Sequence, residues 1–147
     1  MKIWCIGDSI TFGAGNTPGN TYPEILKNIL QGCIEDVEVI NDGKPGISTK
    51  GYYEYLLDNM ERINRQFDVI VLMLGSNDCR RDNWVETDDS VIYISKMLHM
   101  VKAKLAENGR LFLCSILPLA DPMPPDILGG HHPWCQSKVE KEMNPAI

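Results

Sequence analysis

Short apolar runs alternate with helical patterns along the whole chain. Ile3 to Ile6 is an apolar run closed by Gly7, the pattern of a buried strand. Thr21-Tyr22-Pro23-Glu24 has the spacing of a capping box with proline in the first turn. Ile25, Leu26, Ile29 and Leu30 then form one helical face, which Gly32 ends. Val37 to Ile40 predicts a second strand, and Asn41-Asp42-Gly43-Lys44-Pro45-Gly46 a loop. Leu56, Leu57, Met60 and Ile63 fall at helical spacing within Tyr53 to Gln66. Asp68 to Leu74 is the clearest strand, and its unbroken apolar character predicts a central parallel strand covered on both faces. A helix is expected from about Asp88 to Glu107, with acids in its first turn and Asn108-Gly109 after its end. Arg110 to Leu117 is the fourth strand candidate, followed by an irregular loop rich in proline. Near the end, Ser137 to Glu140 has capping-box spacing, and Val139, Met143 and Ile147 share a helical face that Pro145 opposes.

Alternation of this kind implies right-handed βαβ units, hence an α/β fold with a parallel sheet sandwiched between helices. Ligands in such sheets bind beyond the carboxyl ends of the strands. The polar loops after strands one, two and three therefore converge on one edge.

The chain has 147 residues, the length of one domain, and 1–147 reads as a single unit with neither repeat nor linker. A net charge of −6 argues against nucleic acid as a partner, because phosphate binding needs a basic surface. No window approaches the ~18 apolar residues of a membrane span, and Met1-Lys2 runs straight into the first strand without a secretory pattern. The five cysteines are widely spaced, without a C-x-x-C pair, which reads as reduced thiols in a cytoplasmic protein.

The first loop reads Gly7-Asp8-Ser9-Ile10-Thr11-Phe12-Gly13. A serine just past a buried strand, among glycines, can present its hydroxyl to a cleft; it can equally cap the helix that follows. In the second loop, Gly43 and Gly46 are turn glycines or sites of close approach. In the third, Gly75-Ser76-Asn77-Asp78, Asn77 makes a local turn bond or aims its amide at a developing oxyanion.

Together these blocks resemble the SGNH/GDSL hydrolase family. Gly7-Asp8-Ser9-Ile10-Thr11 is similar to its GDS-x-T block, Asn41 to Thr49 to its second block, and Gly75-Ser76-Asn77-Asp78 to its G-x-N-D block. Tyr22-Pro23-Glu24-Ile25-Leu26 resembles the start of the family's first helix, and the likeness covers residues 2 to about 118. The resemblance implies a three-layer α/β/α sandwich, flavodoxin-like in sheet order, and a serine esterase or lipase acting on small or medium acyl esters. It makes Ser9 the nucleophile and forms the oxyanion hole from the backbone N–H groups of Ser9 and Gly46 and the amide of Asn77. Asp8 is assigned to holding the loop rather than to acting as base. No cofactor is implied, and the partner is a small ester.

The sequence departs from the family at the base. The family takes it from a D-x-x-H block near its C-terminus, and no D-x-x-H occurs here. His99 falls inside a helix and reads as structural. Gly129-Gly130-His131-His132-Pro133 matches G-x-H-P of the family block, but Gly129 stands where its aspartate belongs, and no helix and strand fit between Leu117 and His131. The base is then either His132 or absent, and the fold is expected to lack its last αβ unit. Loss of that unit would leave an apolar sheet edge, which predicts homo-oligomer formation, seen as a dimer peak in size exclusion at micromolar concentration. Asp126, His131, His132 and Cys135 fit no standard zinc spacing. Two rival readings follow: a catalytically impaired remnant that binds a ligand without turnover, and a flavodoxin-like flavin or nucleotide module, against which stands the absence of a phosphate-binding signature in the first loop.

Overall fold

The computed structural model describes residues 1–80, 82–117 and 138–147. Strands β1 (Lys2–Gly7), β2 (Glu38–Gly43), β3 (Phe67–Met73) and β4 (Leu105–Leu113) form one sheet in the order β2-β1-β3-β4. Every pair is parallel. The helices are α1 (Ser9–Phe12), α2 (Tyr22–Gln31), α3 (Thr49–Asn59) and α4 (Thr87–Lys102). A π-helical turn, Val139–Met143, runs into a last helical turn, Asn144–Ala146.

Register sorts the side chains into two faces. Trp4 pairs with Ile70 and Ile6 with Leu72, all essentially without exposure. They meet Tyr52 and Leu56 from α3 and Ile94, Met97 and Val101 from α4 in one cluster, and the Trp4 and Phe67 rings stack at 5.1 Å between centroids. The other face carries Ile3, Cys5, Val69 and Val71, with α2 lying towards β2. The result is the expected three-layer α/β/α arrangement.

Several boundaries differ from the sequence reading. The capping box at Thr21 and Glu24 forms in full, with Pro23 in the first turn and Gly32 at the C-cap. Ile25 and Ile29, two members of the helical face read from the spacing, are exposed. Strand β2 runs on through Asn41, Asp42 and Gly43, which composition assigns to a loop; pairing of these residues with Cys5, Ile6 and Gly7 outweighs their weak strand propensity. Strand β3 is not covered equally on both faces. Ile70 and Leu72 are fully buried, whereas Val69, Val71 and Met73 are only half-buried. Helix α4 stops at Lys102 rather than Glu107, and β4 begins at Leu105. Asn108-Gly109 is no helix stop but lies inside β4, where the register with β3 shifts between Phe67 and Val69. A Cβ on Gly109 would sit 2.9 Å from the Phe67 carbonyl oxygen, so this irregularity needs glycine.

The glycine of greatest consequence is Gly43. A Cβ there would lie 2.1 Å from the backbone nitrogen of Phe12 and 2.5 Å from its Cα. The end of β2 and helix α1 can approach this closely only without a side chain. Gly43→Ala must push α1 outward, so urea unfolding is expected to show a loss of about 2–3 kcal/mol.

Candidate active site

Three loops leave the carboxyl ends of β1, β2 and β3, and side chains bond them to one another. The first is Asp8 and α1. Asp8 is buried, caps α1 through Oδ1, which accepts the Ile10 N–H at 2.9 Å, and accepts the Ser76 hydroxyl on Oδ2. Burial raises its carboxyl above the ordinary aspartate value, and the bonds from Ser76 and Ile10 only partly offset this. Since Asp8 is the cap, Ser9 is not; the serine stands at the first helical position, half-buried, and the capping alternative for Ser9 is overturned. Asp8 thus has the loop-holding part assigned to it.

The second loop begins where the Lys44 N–H donates to the Gly7 carbonyl at 2.9 Å, joining it to the first. Gly46 has φ of 77°, a left-handed conformation that favours glycine, and it is exposed at the turn. Its carbonyl accepts the Asn83 amide at 3.3 Å.

The third loop is Gly75 to Cys79. Asn77 is only 3% exposed, and its Nδ2 donates to the Ile47 carbonyl at 3.0 Å. That partner is thirty residues away in sequence, so the local-turn alternative for Asn77 fails. An amide carries two N–H donors, and the bond to Ile47 uses one while fixing the orientation of the other. Asp78 follows, fully buried. Its carboxylate accepts the Thr49 N–H at 3.0 Å, the Thr49 hydroxyl, and the Ser90 hydroxyl at 2.9 Å. Burial again raises the carboxyl, more than Thr49 and Ser90 lower it. The anchoring parts of Ser76, Thr49, Ser90 and Asp78 were not legible in the sequence. Only the G-x-N-D spacing hints at Asp78, and Thr49 and Ser90 reach it from α3 and α4.

The structure therefore brings the loops bearing Ser9, Gly46 and Asn77 into one hydrogen-bonded assembly. Among the described residues, no histidine or carboxylate bonds to the Ser9 hydroxyl. His99 is exposed in the last turn of α4. Gly129, His131, His132, Asp126 and Cys135 lie outside the described residues. Among those described, no group of three metal-ligating side chains is found, and no helix is long and apolar enough to cross a membrane. Of the described cysteines, Cys5, Cys33 and Cys114 are free thiols, with Cys5 fully buried and pushed up to about 11 by that burial.

A parallel sheet with its polar loops joined at the carboxyl edge is the architecture in which α/β proteins of the doubly wound type build a ligand site. Residues 5–146 match the GDSL-like lipase/acylhydrolase family. The chain belongs to that family. Its fold is similar to that of AlinE4, an SGNH-hydrolase family esterase, with TM-score 0.71 at 19% identity over 99% of this chain and 67% of that one. A carbohydrate acetylesterase family member from Sinorhizobium meliloti gives 0.71 at 21% identity over 99% and 75%. In sequence, the chain is 33% identical over 86 residues to the N-acylneuraminate cytidylyltransferase of Escherichia coli O18:K1:H7 (strain RS218 / NMEC). That match covers 58% of this chain and a fifth (20%) of the relative.

Proposed function

We propose that the protein is a carboxylic ester hydrolase in which Ser9 attacks small or medium acyl esters. The Ser9 Oγ bonds to the acyl carbon as its proton passes to a base, and the carbonyl oxygen takes the negative charge. The N–H groups of Ser9 and Gly46 and the free amide N–H of Asn77 are the donors for that oxyanion. Collapse of the intermediate breaks the ester C–O bond, and the alcohol leaves with the proton. Water then repeats the sequence on the acyl-serine and frees the acid. The observation that supports this best is the cross-bonding of the loops, Ser76 to Asp8 and Asn77 to Ile47, which holds donors rigid before substrate arrives. Preorganised donors stabilise charge without rearranging during the reaction.

His132 is the base in this reading. One protein of similar fold is named a carbohydrate acetylesterase family member, which supports starting a substrate panel with acetyl esters borne on sugars. A cytoplasmic location and a second copy of this chain on the β4 edge belong to the same proposal.

A second reading has a specific observation behind it. Among the described residues nothing deprotonates Ser9, which suits an impaired remnant that binds an ester without turning it over. Intact mass after exposure to a fluorophosphonate separates the two. An adduct on the wild type, absent from Ser9→Ala and from His132→Ala, is the expected result. An unmodified wild type means the serine is not activated, and the remnant reading stands.

A further inference from the structure

Lys138 has no place in the chemistry above, yet it is 0% exposed. A buried ammonium is costly unless its donors are used. Among the described residues no carboxylate bonds to it directly. Its Nζ donates to the Asp78 carbonyl at 3.3 Å and to the Val85 carbonyl, and it lies 3.6 Å from the centroid of the Trp84 ring. The Val85 N–H also donates to the Asp78 carbonyl, at 3.3 Å. Residues 78 and 85 are thus the two sides of a neck, and the Lys138 ammonium bridges their carbonyls.

The position of this neck matters. Asp78 directly follows Asn77, and Asn83, near its other side, donates to the Gly46 carbonyl. Asp78 is also held through its carboxylate by Thr49 and Ser90 and through its N–H by the Gly75 carbonyl, and Lys138 adds a second donor to the carbonyl that the Val85 N–H already reaches. We infer that Lys138 is a positioning residue, a buried clamp on the 78/85 neck that keeps the Asn77 amide and the Gly46 turn aligned for the oxyanion. The catalytic half of this inference rests on the esterase reading; the clamp itself does not.

Lys138→Met keeps most of the stem and removes the ammonium, while Lys138→Arg keeps charge and donors. Each is measured in two ways, by hydrogen exchange at the Val85 amide and by kcat and KM on a short-chain nitrophenyl ester. In Lys138→Met, exchange at Val85 is expected to quicken about tenfold or more. kcat is expected to fall roughly tenfold to a hundredfold, with KM little changed, because a displaced donor weakens binding of the transition state rather than of the substrate. Lys138→Arg restores both. Unchanged exchange at Val85 overturns the clamp. Faster exchange with unchanged kcat overturns its part in positioning Asn77. A wild type inert towards esters sinks the esterase reading and with it the catalytic half, while exchange at Val85 still decides the clamp. Should Lys138→Met not fold, Lys138→Gln takes its place under the same criteria.

Discussion

Ser9→Ala is expected to lower ester hydrolysis by roughly three orders of magnitude or more while leaving the fold intact. The serine is half-buried at the first position of α1, and the cap of that helix is the carboxylate of Asp8. Removing the hydroxyl therefore takes away the proposed nucleophile without loosening the turn that carries it. Asn77→Ala should fail differently. It removes one of the proposed oxyanion donors, a loss expected to cost about 10²–10³ in kcat with little change in KM, since such a donor serves charge that exists only in the transition state. It also frees the Ile47 carbonyl, so the second loop loses a tie to the third. Steady-state kinetics on both variants, with circular dichroism as the check on folding, separate the two roles. A Ser9→Ala variant as active as the wild type would remove the nucleophile assignment altogether.

Asp78→Ala is expected to cost stability rather than chemistry alone, by about 3–4 kcal/mol. Three donors converge on this carboxylate in a site with no exposure: the Thr49 N–H, the Thr49 hydroxyl and the Ser90 hydroxyl. Alanine leaves all three without an acceptor where water does not reach. The loss is several tenths of the margin of a typical domain, so urea midpoints should drop visibly.

The same group predicts a pH dependence, with the sign set by its raised pKa. The folded protein holds a proton on Asp78 at pH values where the unfolded chain, at the ordinary value of 3.8, has released it. In the window above 3.8 the native state binds more protons, so this group's contribution falls as pH rises through the raised value and is fullest below 3.8. The deficit of Asp78→Ala relative to wild type should therefore shrink as pH rises through that window. A deficit that grows instead would mean that the hydrogen bonds from Thr49 and Ser90 outweigh burial. Asp8, raised for the same first cause, contributes with the same sign.

What the residues alone determine is considerable. Apolar runs of strand length alternate with helical faces, and that pattern is enough for the parallel α/β layout, because each element must bury its own apolar side locally. That the loops bearing Ser9, Gly46 and Asn77 meet was legible for a related reason. They stand in short blocks at strand ends, and the topology of a parallel sheet sends all such ends to one edge. Thr21 and Glu24 formed their capping box because its partners are three residues apart and need nothing from the rest of the fold.

Tertiary structure decided the rest. Cross-strand pairing drew Asn41 to Gly43 into β2 and started β4 at Leu105, because a ladder partner outweighs local propensity. Ile25 and Ile29 form a helical face in sequence, but whether a face is covered depends on what packs there, and both are exposed. The capping of α1 by Asp8 rather than Ser9 turned on which oxygen reaches the Ile10 N–H. The contacts of Asp78 with Thr49, Ser90 and Lys138 join residues twelve to sixty apart. No local pattern encodes such bonds. They arise when the folded chain buries a polar group and must supply it with partners from wherever the backbone has brought them.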